Sequence, residues 1–209
     1  MNQTWEWDGT SWTQVADAGG GGFVRLAYDT ARARTVSVAS GKQSLETWEW
    51  DGTTWTRVAD SGSPVRDSFG VAYDDERKVL VLFGGEAGTH DFSDTWGWQG
   101  TTWEQLADMG PAPRSAHRMV YDSDRARIVL FGGGPRKVDS KGAFLRMLGD
   151  TWEWDGTRWS QLQDMGPPAR GYAGIAYDHD RRRVVLFEGL SNDPPSHEFG
   201  DTWELGDYT

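Results

Sequence analysis

At 209 residues the chain can bury the core of one substantial domain, yet its hydrophobic fraction is a modest 37% and 13 of its residues are tryptophan. A net charge of −11, from 21 Lys and Arg against 32 Asp and Glu, argues against a nucleic-acid surface and against adsorption to anionic membranes. With no cysteine there are no disulfides, thiol nucleophiles or thiolate metal sites, and no apolar run approaches the roughly 18 residues of a membrane-spanning helix.

The opening residues MNQTWEWDGT lack the basic and apolar segments of a signal peptide, so a soluble protein, cytoplasmic by default, is expected. The same opening holds the first copy of a repeated phrase. TWEWDGTSW at 4–12 returns as TWEWDGTTW at 47–55, TWGWQGTTW at 95–103 and DTWEWDGTRW at 150–159, with a shortened DTWEL at 201–205. Each interval between copies contains two further segments in fixed order. The first ends in Tyr-Asp: RLAYD 25–29, GVAYD 70–74, RMVYD 118–122 and GIAYD 174–178. The second is a β-branched run ending in glycine: TVSVASG 35–41, VLVLFGG 79–85, IVLFGG 128–133 and VVLFEG 184–189.

Such short apolar runs point to strands buried on both faces, and charged links such as DSDRAR and DHDRRR suit hairpin loops. Read as a two-residue turn, Asp155-Gly156 sets Trp152 across from Trp159, with Trp154 on the same side. The three rings then form a hydrophobic plate that the next unit must cover. Repeats of approximately 1–17, 18–60, 61–108, 109–164 and 165–209, the first and last partial, make a single domain over residues 1–209.

Four strands per unit, a Gly-Gly after the second and tryptophan in the fourth, with phrases such as GPPAR at 166–170, VLFGG at 81–85 and DTWEWDG at 150–156, resemble the Kelch repeat of bacterial β-propellers. The resemblance implies an all-β, Kelch-type β-propeller. Counting segments gives four blades of four antiparallel strands, closed by pairing N- and C-terminal strands, with one strand near Trp5 or Trp203 left over. The alternative is an open arc, either a piece of a longer array or completed by a second copy as a homodimer.

Function is less constrained, because Kelch propellers serve as adaptors and as enzymes. Alternating strand direction puts the tight turns on one face and the variable loops 84–94, 132–150 and 188–201 on the other, where a site is expected. That face also carries Arg66, Arg114 and Arg170 at equivalent positions, with Gly21 in the first unit, and His90 and Arg136 in its loops. In some Kelch adaptors arginines at this entrance bind acidic peptides, so the resemblance implies a small anionic ligand or acidic peptide as partner. The competing reading pairs these arginines with Glu46, Asp94, Asp150 and Asp201 between strands.

Departures from the repeat supply further candidates. His117 stands where the neighbours have Phe69 and Ala173, Glu188 replaces the first glycine of the pair, and Tyr172 lies beside Arg170. These three are the acid/base candidates of an alternative reading as a small-molecule enzyme, an isomerase, lyase or cyclase with 132–150 as its lid. Glu188, Asp193 and His197 form E-x4-D-x3-H, similar to the iron-binding set of plant nitrile-specifier Kelch proteins but one residue longer in the first gap. A divalent metal there is the one cofactor considered; otherwise none is expected. The copper-radical chemistry of galactose oxidase is excluded by the absence of cysteine.

Overall fold

The structure, a computed structural model, describes residues 3–17, 24–59, 62–136, 146–162, 166–192 and 196–206. Their regular secondary structure is all β. An N-terminal hairpin joins β1 (Thr4–Trp7) to β2 (Trp12–Ala16). Three four-stranded antiparallel sheets follow. The first orders β3 (Val24–Asp29), β4 (Arg34–Ser40), β5 (Leu45–Trp50) and β6 (Trp55–Ala59) from one edge to the other. The second comprises β7 (Gly70–Asp74) and β8 (Val79–Phe83), then β11 (Thr95–Trp98) and β12 (Trp103–Ala107), with a small hairpin of β9 (Glu86–Ala87) and β10 (His90–Asp91) between them. The third contains β13 (Arg118–Asp122), β14 (Arg127–Phe131), β15 (Thr151–Trp154) and β16 (Trp159–Gln161). A last sheet has three strands, β17 (Gly174–Asp178), β18 (Arg183–Ser191) and β19 (His197–Leu205).

The leading strands β3, β7, β13 and β17 follow one another side by side, so the sheets stack face to face along an arc, a propeller-like arrangement. The β-branched second strands form the centre of each sheet, and β8 is buried over its whole length. Two main cores result, one between the first and second sheets and one between the second and third. No helix among the described residues is long and apolar enough to cross a membrane.

The tryptophan hairpins differ in register from the sequence expectation. Trp154, not Trp152, lies opposite Trp159, with ring centroids 5.5 Å apart, and Trp152 faces Gln161. Asp155 widens the turn, because its Oδ1 accepts hydrogen bonds from the backbone N–H of Thr157 at 2.8 Å and of Arg158 at 2.9 Å. Gly156 takes φ +96° inside that loop. The plate of rings does form, but the preceding sheet covers it. Trp159 Nε1 donates to Thr95 Oγ1, Trp103 Nε1 to Thr47 Oγ1 and Trp55 Nε1 to Thr4 Oγ1, each at 2.8 Å. By this rule the first hairpin occupies the third and fourth strand positions of a sheet preceding β3–β6.

The expected pairing of the chain ends is not made here. Among the described residues, neither strand of the first hairpin meets β17, β18 or β19, and the last sheet has no fourth strand.

Candidate functional site

Arg66, Arg114 and Arg170 are turned into the protein. Arg114 donates two parallel hydrogen bonds to Asp150, at 2.6 and 2.8 Å, a third to Gly132 O at 3.0 Å and a fourth to Ala112 O at 3.0 Å. Arg66 repeats the pattern on Asp94, Gly84 O and Pro64 O, and Arg170 repeats it on Asp201, Glu188 O and Pro168 O. All three are at most 1% exposed. Arg66 and Arg170 also lie over the rings of Phe92 and Phe199, at 3.8 and 3.7 Å. Burial alone would raise the Asp94 and Asp150 carboxyls, but bonds from the arginines, with Trp96 and Trp152, hold both below the ordinary range. The geometry is therefore that of a strand-to-loop clamp repeated in three sheets. Glu46 takes the acid's place in the first sheet and meets Arg57.

His90 is exposed on β10, its ring edge-on to Phe92, and Arg136 is mostly exposed with Nη1 2.7 Å from the buried Glu86. Tyr172 is half-exposed with φ +59°, the conformation shared by Ser68 and Ala116 at the equivalent positions. Its backbone N–H donates to Ala116 O, as that of Ala116 does to Ser68 O, both at 2.9 Å, so these residues stitch neighbouring sheets together. Glu188 is exposed at φ +57°, the left-handed conformation that Gly84 and Gly132 adopt in the other sheets. His197 is exposed on β19 against Phe199, and Asp193 lies outside the described residues. Among the described residues no group of three or more His, Asp or Glu is arranged to hold a metal ion.

His117 is fully buried, packed on Gly70 and edge-on to Phe83. A Cβ on Gly70 would sit 2.6 Å from its Nε2, so the absent side chain makes the room the ring occupies. Burial, followed by the charges of Arg114, Arg118 and Arg25, holds His117 well below its ordinary pKa and thus neutral.

Two arginines that the sequence reading passed over lie beside it. Arg25 is the second residue of β3 and Arg118 the first of β13, and each reaches across to the following sheet. Arg25 Nε donates to Phe69 O at 3.2 Å, and Arg118 Nε to Ala173 O at 2.6 Å. The residues aligned with them are Gly70 and Gly174. Both arginines are half-buried, and among the described residues neither has a carboxylate within ion-pair distance, Asp67 acting on Arg25 only from farther off. Burial lowers both from the ordinary arginine value, and the charge of Arg25 lowers Arg118 further. They line a cleft of about 400 Å³ between the leading strands, together with Phe69, His117 and Gly174. The sequence signal was the alternation Arg25, Gly70, Arg118, Gly174 just before the Tyr-Asp segments.

No family model matches the chain, and no curated protein matches it. Its fold is similar to the solved structure of YjhT, with a TM-score of 0.60 over 89% of this chain at 15% sequence identity. The chain spans 66% of the length of that structure.

Proposed function

We propose that the protein is a binding module of the Kelch propeller type that holds a small carboxylate or phosphate in the channel cleft between Arg25 and Arg118. The observation carrying this reading is a pair of half-buried guanidinium groups that repel one another and, among the described residues, lack a carboxylate partner, at the edge of a cleft wide enough for a small ligand. Guanidinium suits bidentate capture of such anions, and the repulsion between the two cations is relieved when an anion lies between them. Tyr172 and Arg136 stand at the rim, where they would meet whatever part of the ligand extends outward. The clamps at Arg66, Arg114 and Arg170 would support the mouth from behind. The blade arrangement proposed with this function is four repeats, the fourth assembled from β17–β19 and a strand of an N-terminal hairpin, whether the chain's own or a second copy's.

Calorimetric titration with malonate and with inorganic phosphate tests the reading. A charge-assisted hydrogen bond is worth roughly 1.5–3 kcal/mol, so Arg25→Gln and Arg118→Gln should each weaken binding by about 10- to 100-fold. Arg158→Gln, on the opposite, tight-turn face, should leave it unchanged. Equal affinity in Arg25→Gln, Arg118→Gln and the unaltered protein would remove the proposal.

A further inference from the structure

The tryptophan bonds between sheets reveal a missing member. Trp159 is seated with Nε1 on Thr95 Oγ1, its ring 5.1 Å from that of Phe83 and its Cδ1 against Gly110. Trp103 is seated in the same way on Thr47 and Gly62. One sheet further along, the corresponding residues are Thr151, Phe131 and Gly166, and they line a cavity of about 190 Å³ closed on its far side by Leu186 and Trp203. Among the described residues the last sheet has three strands, and no tryptophan of a fourth fills the cavity. A cavity of about 150 Å³ is known to accept benzene, and this one is large enough for an indole.

The first hairpin has the opposite deficit. Trp12 occupies the position of Trp103 and Trp159 but is 62% exposed. A second mismatch marks the same two ends. Tyr73 OH donates to Asp29 Oδ1 at 2.6 Å, whereas the equivalent Tyr28 is 55% exposed. Asp29 accepts from Arg32 N, Arg32 Nε and Tyr73; among the described residues Asp178 accepts from Arg181 N and Nε with no tyrosine donor, as the interior Asp74 accepts from Arg77 N and Nη1. Each end of the arc thus carries what the other lacks.

We infer that the cavity beside Thr151 is a socket for Trp12 of a second copy of this chain. The strand β2 of that copy lies along the free edge of β19, its Trp12 Nε1 donates to Thr151 Oγ1, and its Tyr28 reaches Asp178. Among the described residues the chain's own β2 meets none of β17, β18 or β19, whereas a second copy can bring its β2 and first sheet up to the last sheet together. The edge of β2 that now pairs with β1 pairs with β19 instead, so the junction is a strand exchange. Its ladder bonds are replaced one for one, and burial of Trp12 is the net gain. This inference does not depend on anion binding in the channel.

Sedimentation of the full chain tests it. The unaltered protein should show twice the monomer mass or more, and Trp12→Ser, at a site exposed in the monomer, should return it to monomer with unchanged circular dichroism. Thr151→Arg, which fills the socket, should do the same. Mixing the two variants should restore a dimer, because one retains the socket and the other the tryptophan. A monomeric unaltered protein would overturn the inference, and a monomer with Trp12 shielded from acrylamide would assign the socket to the chain's own strand. Association that survives Trp12→Ser would overturn it equally.

Discussion

Replacing Arg114 by alanine removes the centre of a buried clamp. The side chain is 1% exposed and makes four hydrogen bonds, two to Asp150 and one each to Gly132 O and Ala112 O. Without it, Asp150, 17% exposed in the intact clamp, keeps the indole N–H of Trp152 as its side-chain donor, and two carbonyl groups lose their partner. Removing one member of a buried pair costs about 3–5 kcal/mol, much of it from the stranded charge. With a urea dependence of about 2–3 kcal/mol per M, the unfolding midpoint should fall by roughly 1–2.5 M at unchanged slope. Arg170→Ala should cost less, because Asp201 is 40% exposed and water can solvate it. Arg114→Ala combined with Asp150→Ala should cost less than the sum of the two single changes. A shift for Arg114→Ala below about 0.3 M, the size of an exposed pair, would refute the assignment of this arginine to the fold.

Other outcomes follow from the same contacts. Asp94 and Asp150 are held below the ordinary carboxylate range, so their stabilisation is present above about pH 4 and is lost as pH falls through their folded values. A urea series from pH 6 to pH 3 should show that loss, and Arg114→Ala should reduce it. Thr95→Val strands the buried Trp159 N–H and should cost about 1–3 kcal/mol in the same assay. His117 is depressed in the fold, so its contribution is present above about pH 6.5 and is lost as pH falls below it; His117→Phe should remove that part of the pH dependence. Gly156→Ala should destabilise more than Gly9→Ala: both turns need positive φ, but only at Gly156 would a Cβ strike a neighbour, Arg77.

The strand order was legible because each segment announces itself locally: a β-branched run, a Tyr-Asp end, an Asp-Gly turn. Register was less so, since it hangs on Asp155 bonding to the backbone two and three residues on, a choice that residue spacing alone leaves open. The arginine column was readable as a column, but whether Arg66, Arg114 and Arg170 face solvent or Asp94, Asp150 and Asp201 depends on where the loops fold back. Arg25 and Arg118 were overlooked because a polar residue at the start of an apolar strand reads as its boundary. Their meaning emerges only when the neighbouring sheet places Gly70 and Gly174 in line with them. The socket beside Thr151 was not readable at all, because it is an absence measured against other repeats.

A crystal of the protein soaked in bromide and measured at the bromine absorption edge tests the proposed site most directly. The expected result is an anomalous peak between the guanidinium groups of Arg25 and Arg118, lost in Arg118→Gln. Peaks at Arg66, Arg114 and Arg170 with none in the channel would contradict it, since those side chains would then have left their aspartates to bind the anion.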